Sequence, residues 1–216
     1  TVQFDVGNLP EGVHHATIEV EGDDGLAIDD LRYFTFEVKP AWPVLLVRSE
    51  NASVGFLQDV LAASATSYQV KTILENEIGN EDLEQYRAVF WLDPTRPTDT
   101  TWEQLHRYTV AGGAVTFFVG PGAEAEKQVA ENFVSDSALK LMPATLTRVF
   151  LGEGTNGEVF LSPDSMSHPV LAAFRQVASS IRWSRFPVYK HWGLKQNPGD
   201  DGAATEVIIR FSNGNP

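Results

Sequence analysis

Apolar and polar positions alternate through the first 39 residues, and after that they do not. Val2-Gln3-Phe4-Asp5-Val6 and Ala16-Thr17-Ile18-Glu19-Val20 repeat with a period of two, and Tyr33-Phe34-Thr35-Phe36-Glu37-Val38 adds aromatic and β-branched types. That period sends one face of a strand towards a core, so three strands are predicted. Turn residues separate them at 7–12 and at 22–25, where Gly22-Asp23-Asp24-Gly25 suits a hairpin. Three strands bury too little to stand alone. Residues 1–39 are therefore read as the last strands of an immunoglobulin-like β-sandwich whose earlier strands lie upstream. Two prolines in Pro40-Ala41-Trp42-Pro43 stop the strand, and residues 40–43 are taken as a linker.

From residue 44 the rhythm is different. Val44-Leu45-Leu46-Val47 is continuously apolar, the sign of a strand covered on both faces. Phe56, Leu57, Val60 and Leu61 then follow a helical period. Strands are predicted at 68–74, 88–92 and 114–119, with a short helical turn at 83–86. Thr100-Thr101-Trp102-Glu103 fits a capping box opening a helix that ends near Gly112-Gly113, and a further helix is predicted over 123–133. Alternating strands and helices of this kind imply an α/β domain, a flavodoxin-like parallel sheet with helices on both faces, over residues 44–216. Beyond Leu141 the pattern predicts a strand pair at 146–151 and 158–161, a short helix at 169–174 and a strand at 207–211. The closing Ser212-Asn213-Gly214-Asn215-Pro216 is a turn, so the domain is expected to be truncated at its C-terminus.

Composition narrows the chemistry. The 216 residues contain no Cys, which removes disulfides, thiolate metal sites and thiol nucleophiles. No run approaches the roughly 18 to 20 apolar residues of a membrane span, so direct membrane insertion is not expected. Nor does the N-terminus carry a signal-peptide pattern. The net charge is −13, and residues 1–40 alone hold nine acids against Arg32 and Lys39. An acidic surface repels phosphate backbones, which disfavours nucleic acid as a partner.

The stretch 83–93, Leu-Glu-Gln-Tyr-Arg-Ala-Val-Phe-Trp-Leu-Asp, followed by a helix and by 108–120, Tyr-Thr-Val-Ala-Gly-Gly-Ala-Val-Thr-Phe-Phe-Val-Gly, resembles the class I glutamine amidotransferase-like superfamily. It is similar to the divergent members found in large bacterial membrane proteins with a BatA-type segment and often a von Willebrand A domain. In those proteins a β-sandwich commonly precedes the amidotransferase-like domain, and residues 23–34 are similar to its end. His168-Pro169-Val170 and the segment 211–216 also look like parts of such domains. The resemblance covers nearly the whole chain, through strand patterns and Gly-Gly turns. It implies the soluble part of a protein of the bacterial cell envelope.

Working members of that superfamily place a Cys on a sharp turn after a strand, near a helix N-terminus. The matching turn is Val119-Gly120-Pro121-Gly122, which offers no nucleophilic side chain; Pro121 also lacks the N–H that an oxyanion would need. The nearest Ser, Ser135, lies well past it. No catalytic residue is therefore assigned. Gly120 and Gly122 could still cradle an anion with their amides or could form only a tight turn, and Glu124 and Glu126 weigh against the anion. Asp93, ahead of Pro94 at the end of the third strand, stands where open α/β sheets bind ligands, or serves as a turn residue. His168 is the matching acid–base candidate, or a helix cap. Asp23, Asp24, Asp29 and Asp30 are hard oxygen donors without an EF-hand spacing, and the histidines lack zinc-protease spacing, so no metal and no cofactor is expected.

One basic-aromatic cluster remains. Arg182, Trp183, Arg185, Tyr189 and Trp192 suit contact with a protein partner, and an amphipathic hairpin is the plainer alternative. The sequence thus points to a non-catalytic interaction or scaffolding module of a larger envelope-associated protein, in contact with a protein partner or with other domains of the same protein. The alternative is a small-ligand-binding or hydrolytic domain using Asp93, the Gly120–Gly122 turn and His168.

Overall fold

A computed structural model describes residues 4, 6–7, 9–21, 30–63, 67–125, 128–151, 158–163, 166–196 and 205–216. Strands β1 (Gly12–Glu19) and β2 (Leu31–Val38) form an antiparallel hairpin in which Gly12 faces Val38 and Glu19 faces Leu31. The period of two is visible in this register. His14, Ala16, Phe34 and Phe36 share one face, where the Phe36 ring stacks on His14 at 5.5 Å and on Phe34 at 5.9 Å. Phe4 and Val6, from the first alternating segment, lie outside any strand. The turn at 22–25, and with it Asp23, Asp24 and Asp29 of the acidic quartet, falls outside the described residues.

The α/β body begins two residues earlier than the apolar run, at Trp42. It comprises β3 (Trp42–Arg48), α1 (Gly55–Ala63), β4 (Tyr68–Leu74), β5 (Ala88–Leu92), α2 (Asp99–Val110) and β6 (Ala114–Phe118). The four strands are all parallel, in the order β4-β3-β5-β6. The second strand of the body thus lies outside the first and the third and fourth lie on its other side, which is the flavodoxin-like order. The two crossovers travel in opposite lateral directions, and right-handed connections then put α1 and α2 on opposite faces.

Residue burial follows from that placement. Central β3 buries Val44, Leu45, Leu46 and Val47 to 2% exposure or less. On the α2 face Leu45, Val47, Val89 and Trp91 meet Trp102, Leu105 and Tyr108 in one cluster. The Trp102 ring is 6.4 Å from that of Trp91, 5.4 Å from Phe117 and 5.9 Å from Phe133. Gly113 follows because the Tyr108 ring occupies the space a side chain there would need. On the other face α1 packs through Leu61 and leaves Phe56 and Val60 exposed.

Several expectations fail, each for an identifiable reason. Residues 123–133 do not form a helix. Pro121–Ala123 and Glu131–Phe133 are 3-10 turns, flanking a minimal hairpin of β7 (Glu124–Ala125) and β8 (Gln128–Val129). A continuous helix would hold Ala123 and Phe133 about 15 Å apart, yet both belong to the α2 cluster. The hairpin returns the chain so that Ala130 N–H donates to Ala123 C=O at 2.9 Å. The next elements are α3 (Asp136–Leu139), β9 (Ala144–Leu151), β10 (Leu161–Ser162), β11 (Lys190–Gln196) and β12 (Arg210–Phe211). The predicted pair at 146–151 and 158–161 does not pair with itself: β9 takes β11, β10 takes β12, and Val159 bridges Val188. The strand expected at 207–211 is reduced to Arg210 and Phe211.

The capping box at Thr100 is displaced as well. Thr98 caps α2, its hydroxyl accepting from Thr101 N–H at 3.2 Å, and Thr100 is exposed inside the first turn. Thr98→Ala is expected to cost about 1 kcal/mol and Thr100→Ala to cost little, as read by urea unfolding of the two variants side by side. Equal losses would count against the observed cap.

Candidate functional site

In a sheet of this order, ligands bind outside the C-terminal ends of the strands, at the switch between the first and third. Here those ends carry Ser49 after β3 and Asp93 after β5, and the Gly120–Gly122 turn follows β6. Asp93 has φ 46°, in the left-handed region that Asp tolerates better than most side chains. Its N–H donates to Phe118 C=O at 2.9 Å, which ties β5 to β6. Its carboxylate Oδ1 accepts from Gly122 N–H at 2.7 Å. The amide that could have met an anion therefore already holds a carboxylate.

The glycines follow from the same contact. A Cβ on Gly120 would stand 2.6 Å from Asp93 Oδ1, and one on Gly122 would stand 2.8 Å from it. The surrounding groups are mutually satisfied too. Thr95 donates both its N–H and its hydroxyl to the Glu75 carboxylate. Asn132 Nδ2 donates to Thr95 C=O at 3.3 Å, while Trp102 Nε1 donates to Asn132 C=O at 2.7 Å. From the far side Trp192 Nε1 donates to Gly120 C=O at 2.9 Å, and Lys190 pairs with Glu124 at 3.0 Å.

Ser49 was missed by pattern reading. Its residue is 2% exposed and its Oγ has no hydrogen-bond partner. The available signal was position alone, since Ser49 is one residue past Arg48 at the end of the central strand. Without a base to take its proton, the hydroxyl is a weak nucleophile.

His168 does not join this edge. Its Nδ1 accepts from Val170 N–H at 3.2 Å, capping the 3-10 helix Pro169–Phe174, and its Nε2 faces Glu206 at 3.6 Å. Both ring nitrogens are thus engaged by groups other than Asp93. No cluster of three or more potential metal ligands occurs among the described residues.

The basic-aromatic cluster divides in two. Trp192 turns inward through its bond to Gly120 and packs against the core, and so leaves the expected surface. Arg182, Arg185 and Tyr189 remain exposed, with Trp183 half-buried between the arginines. Beside them His191 is buried in a ring sandwich, 5.6 Å from Phe150 and 4.4 Å from Phe211. Its Nδ1 has no partner, and Asn215 Nδ2 lies 3.5 Å from its Nε2. Burial pushes its pKa below the ordinary imidazole value.

Compared with known proteins, the chain matches no family model and no curated protein. The crystal structure of a ThuA-like protein from Bacteroides uniformis is similar, with a TM-score of 0.50 and 14% identity over 76% of this chain. The chain spans 64% of that protein's length. A likeness at this identity speaks to fold, and the ThuA-like protein is glutamine amidotransferase-like in fold, in agreement with the parallel sheet order.

Two measurements test the geometry. Gly120→Ala is expected to destabilise by about 1–3 kcal/mol through overpacking; most of that loss should vanish in an Asp93→Gly background, and additive losses would sink the close contact. For His191, the unfolded chain takes up a proton more readily than the folded one. Stability should therefore be full above about pH 6.5 and fall as pH drops below it. His191→Leu should flatten the dependence below about pH 6.5, read as unfolding midpoints at successive pH values.

Proposed function

We propose that this chain is a non-catalytic, glutamine amidotransferase-like interaction module of a larger envelope-associated protein. The observation that carries the reading is the Asp93–Gly122 bond. At the turn where the superfamily resemblance places a nucleophile, this chain has Gly-Pro-Gly, and the turn's amide is spent on an internal carboxylate. Glu75, Thr95, Asn132 and Trp192 bond to one another or to the backbone around that edge, so few polar groups remain to orient a substrate.

The hairpin β1–β2 fits the same reading as the closing strands of an immunoglobulin-like sandwich. One face is polar, with His15, Thr35 and Thr17, and the other carries Ala16, Phe34 and Phe36. A recess of about 880 Å³ lies between that apolar face and Phe4, Val6 and Leu9. Two strands are marginal in water, and further strands packed on this face would complete a core.

One observation favours the second reading, a small-ligand site. Ser49 Oγ is buried without a partner at the switch point, where a bound group could satisfy it. A thermal-shift screen of the chain against glutamine, other amides, nucleotides, sugars and divalent ions separates the two readings, alongside an ammonia-release assay with glutamine. The module reading expects no ammonia and no reproducible shift. A ligand at a hundred times its Kd would add about 2.7 kcal/mol of stability. A shift of several degrees, abolished by Ser49→Ala or Asp93→Gly, would establish the ligand site and end the module reading.

A further inference from the structure

Between Asp164 and Asp200 the sequence has no acidic residue, yet it carries Arg175, Arg182, Arg185, Lys190 and Lys195. The rest of the chain holds all 29 acids against the other 11 bases. The structure sorts four of these five cations by use, and the fifth, Lys195, is exposed on β11. Arg175 is tied to Met166 C=O at 2.9 Å and to Ser167 C=O at 3.1 Å, and Lys190 is paired with Glu124. Arg182 and Arg185 are exposed, and their guanidinium groups form no ion pair or hydrogen bond among the described residues. Arg182 precedes the 3-10 turn Trp183–Arg185 and Arg185 ends it, and both line a recess of about 650 Å³.

The floor of that recess is apolar. Phe174, Ile181, Trp183 and Phe186 line it, with the Phe174 ring 6.3 Å from that of Trp183. Phe186 is 65% exposed, and Val170 and Tyr189 nearby are also largely in water. An aromatic recess between two unpaired guanidinium groups has the make-up of an interface centre: an anchor pocket with charged groups that choose the partner.

We propose that this recess docks a short acidic segment of a partner protein, with one apolar side chain seated on Phe174, Trp183 and Phe186 and flanking carboxylates paired to Arg182 and Arg185. The inference rests on the interaction-module reading and names the partner's chemistry. Charge selects the occupant. A nucleic acid or an anionic bilayer extends far beyond the lobe and meets the field of the 29 acids. The contacting part of a short segment, about five residues or roughly 17 Å when extended, stays within roughly one Debye length, about 8–10 Å, of the two arginines. Guanidinium groups bind carboxylates in a planar two-point geometry that ammonium groups cannot offer.

The test is fluorescence anisotropy on the whole 216-residue chain. The probe is a labelled twelve-residue peptide in which Asp and Glu alternate with Leu and Phe. Saturable binding is expected, weakened about tenfold or more in an Arg182→Ser, Arg185→Ser double variant and in Phe186→Ser, and weakened by added salt. A peptide with Lys in place of the acids, and one with Ser in place of Leu and Phe, should not compete. Matched thermal unfolding of the variants shows that they keep their fold; a Lys-substituted pair, retaining charge but not the fork, covers the case in which the serines do not. Absence of saturable binding overturns the proposal, as does equal binding by the arginine variants. Tighter binding of a single-stranded oligonucleotide or of phosphatidylserine vesicles also overturns it. Failure here with a silent ligand screen removes only the acidic segment, whereas a ligand held at Ser49 and Asp93 removes the module reading itself.

Discussion

Four consecutive side chains of β3, Val44 to Val47, are withdrawn from water on both faces of the sheet, and the rest of the body is arranged to keep them so. A strand covered on both sides cannot be an edge, so β4 and β5 flank it. Because both neighbours are parallel to it, each must be reached by a crossover, and right-handed crossovers to opposite sides place cover on opposite faces. Trp91 and Trp102 fill the larger of the two covered faces. The same constraint brings the C-terminal ends of β3 and β5 together, so Ser49 and Asp93 lie at one edge whatever their chemistry.

That edge has been closed from within. Asp93 is held in a left-handed backbone conformation and accepts from Gly122 N–H through its carboxylate. Trp192 then fixes the turn's carbonyl from the β9–β11 ribbon, joining the parallel sheet to the C-terminal elements. A turn held on its amide and on its carbonyl is a structural joint between two layers. Among the described residues, Ser49 Oγ after β3 and Trp91 Nε1 on β5 are buried without a hydrogen-bond partner.

The elements legible in the sequence are those whose signal is local. Ala88–Leu92 occurs where the pattern places it, because a covered parallel strand reads as a short apolar run bounded by turn residues; Tyr68–Leu74, an edge strand that is largely exposed, also occurs where it is expected. The helix expected at 123–133 shows the opposite case. Its residues have good helical propensity, but propensity is worth tenths of a kcal/mol per residue, whereas Phe133, at 1% exposure, contributes a buried aromatic ring to the α2 cluster. The strands after Leu141 were recognisable singly, and their partners were not. Leu151 pairs with Lys190 and Leu161 with Phe211, separations at which no turn chemistry sets the register. At the candidate site, Asp93 and the glycines were visible as residue types, whereas their mutual hydrogen bond, the inward turn of Trp192 and the burial of Ser49 depended on contacts across the fold.

The charge distribution connects the two ends of the molecule. Acids dominate the hairpin and the parallel body, and the segment between Asp164 and Asp200 has none. Segregation of this degree carries a cost in self-repulsion on the acidic side, and among the described residues Lys190 of the basic segment offsets it by pairing with Glu124 of the body. Arg182 and Arg185 contribute no comparable internal contact, although they stand beside exposed aromatic rings that folding leaves in water. Neither the cations nor the rings are required by the core around β3. Their coincidence at one recess is therefore better accounted for by what approaches the surface than by what holds the fold.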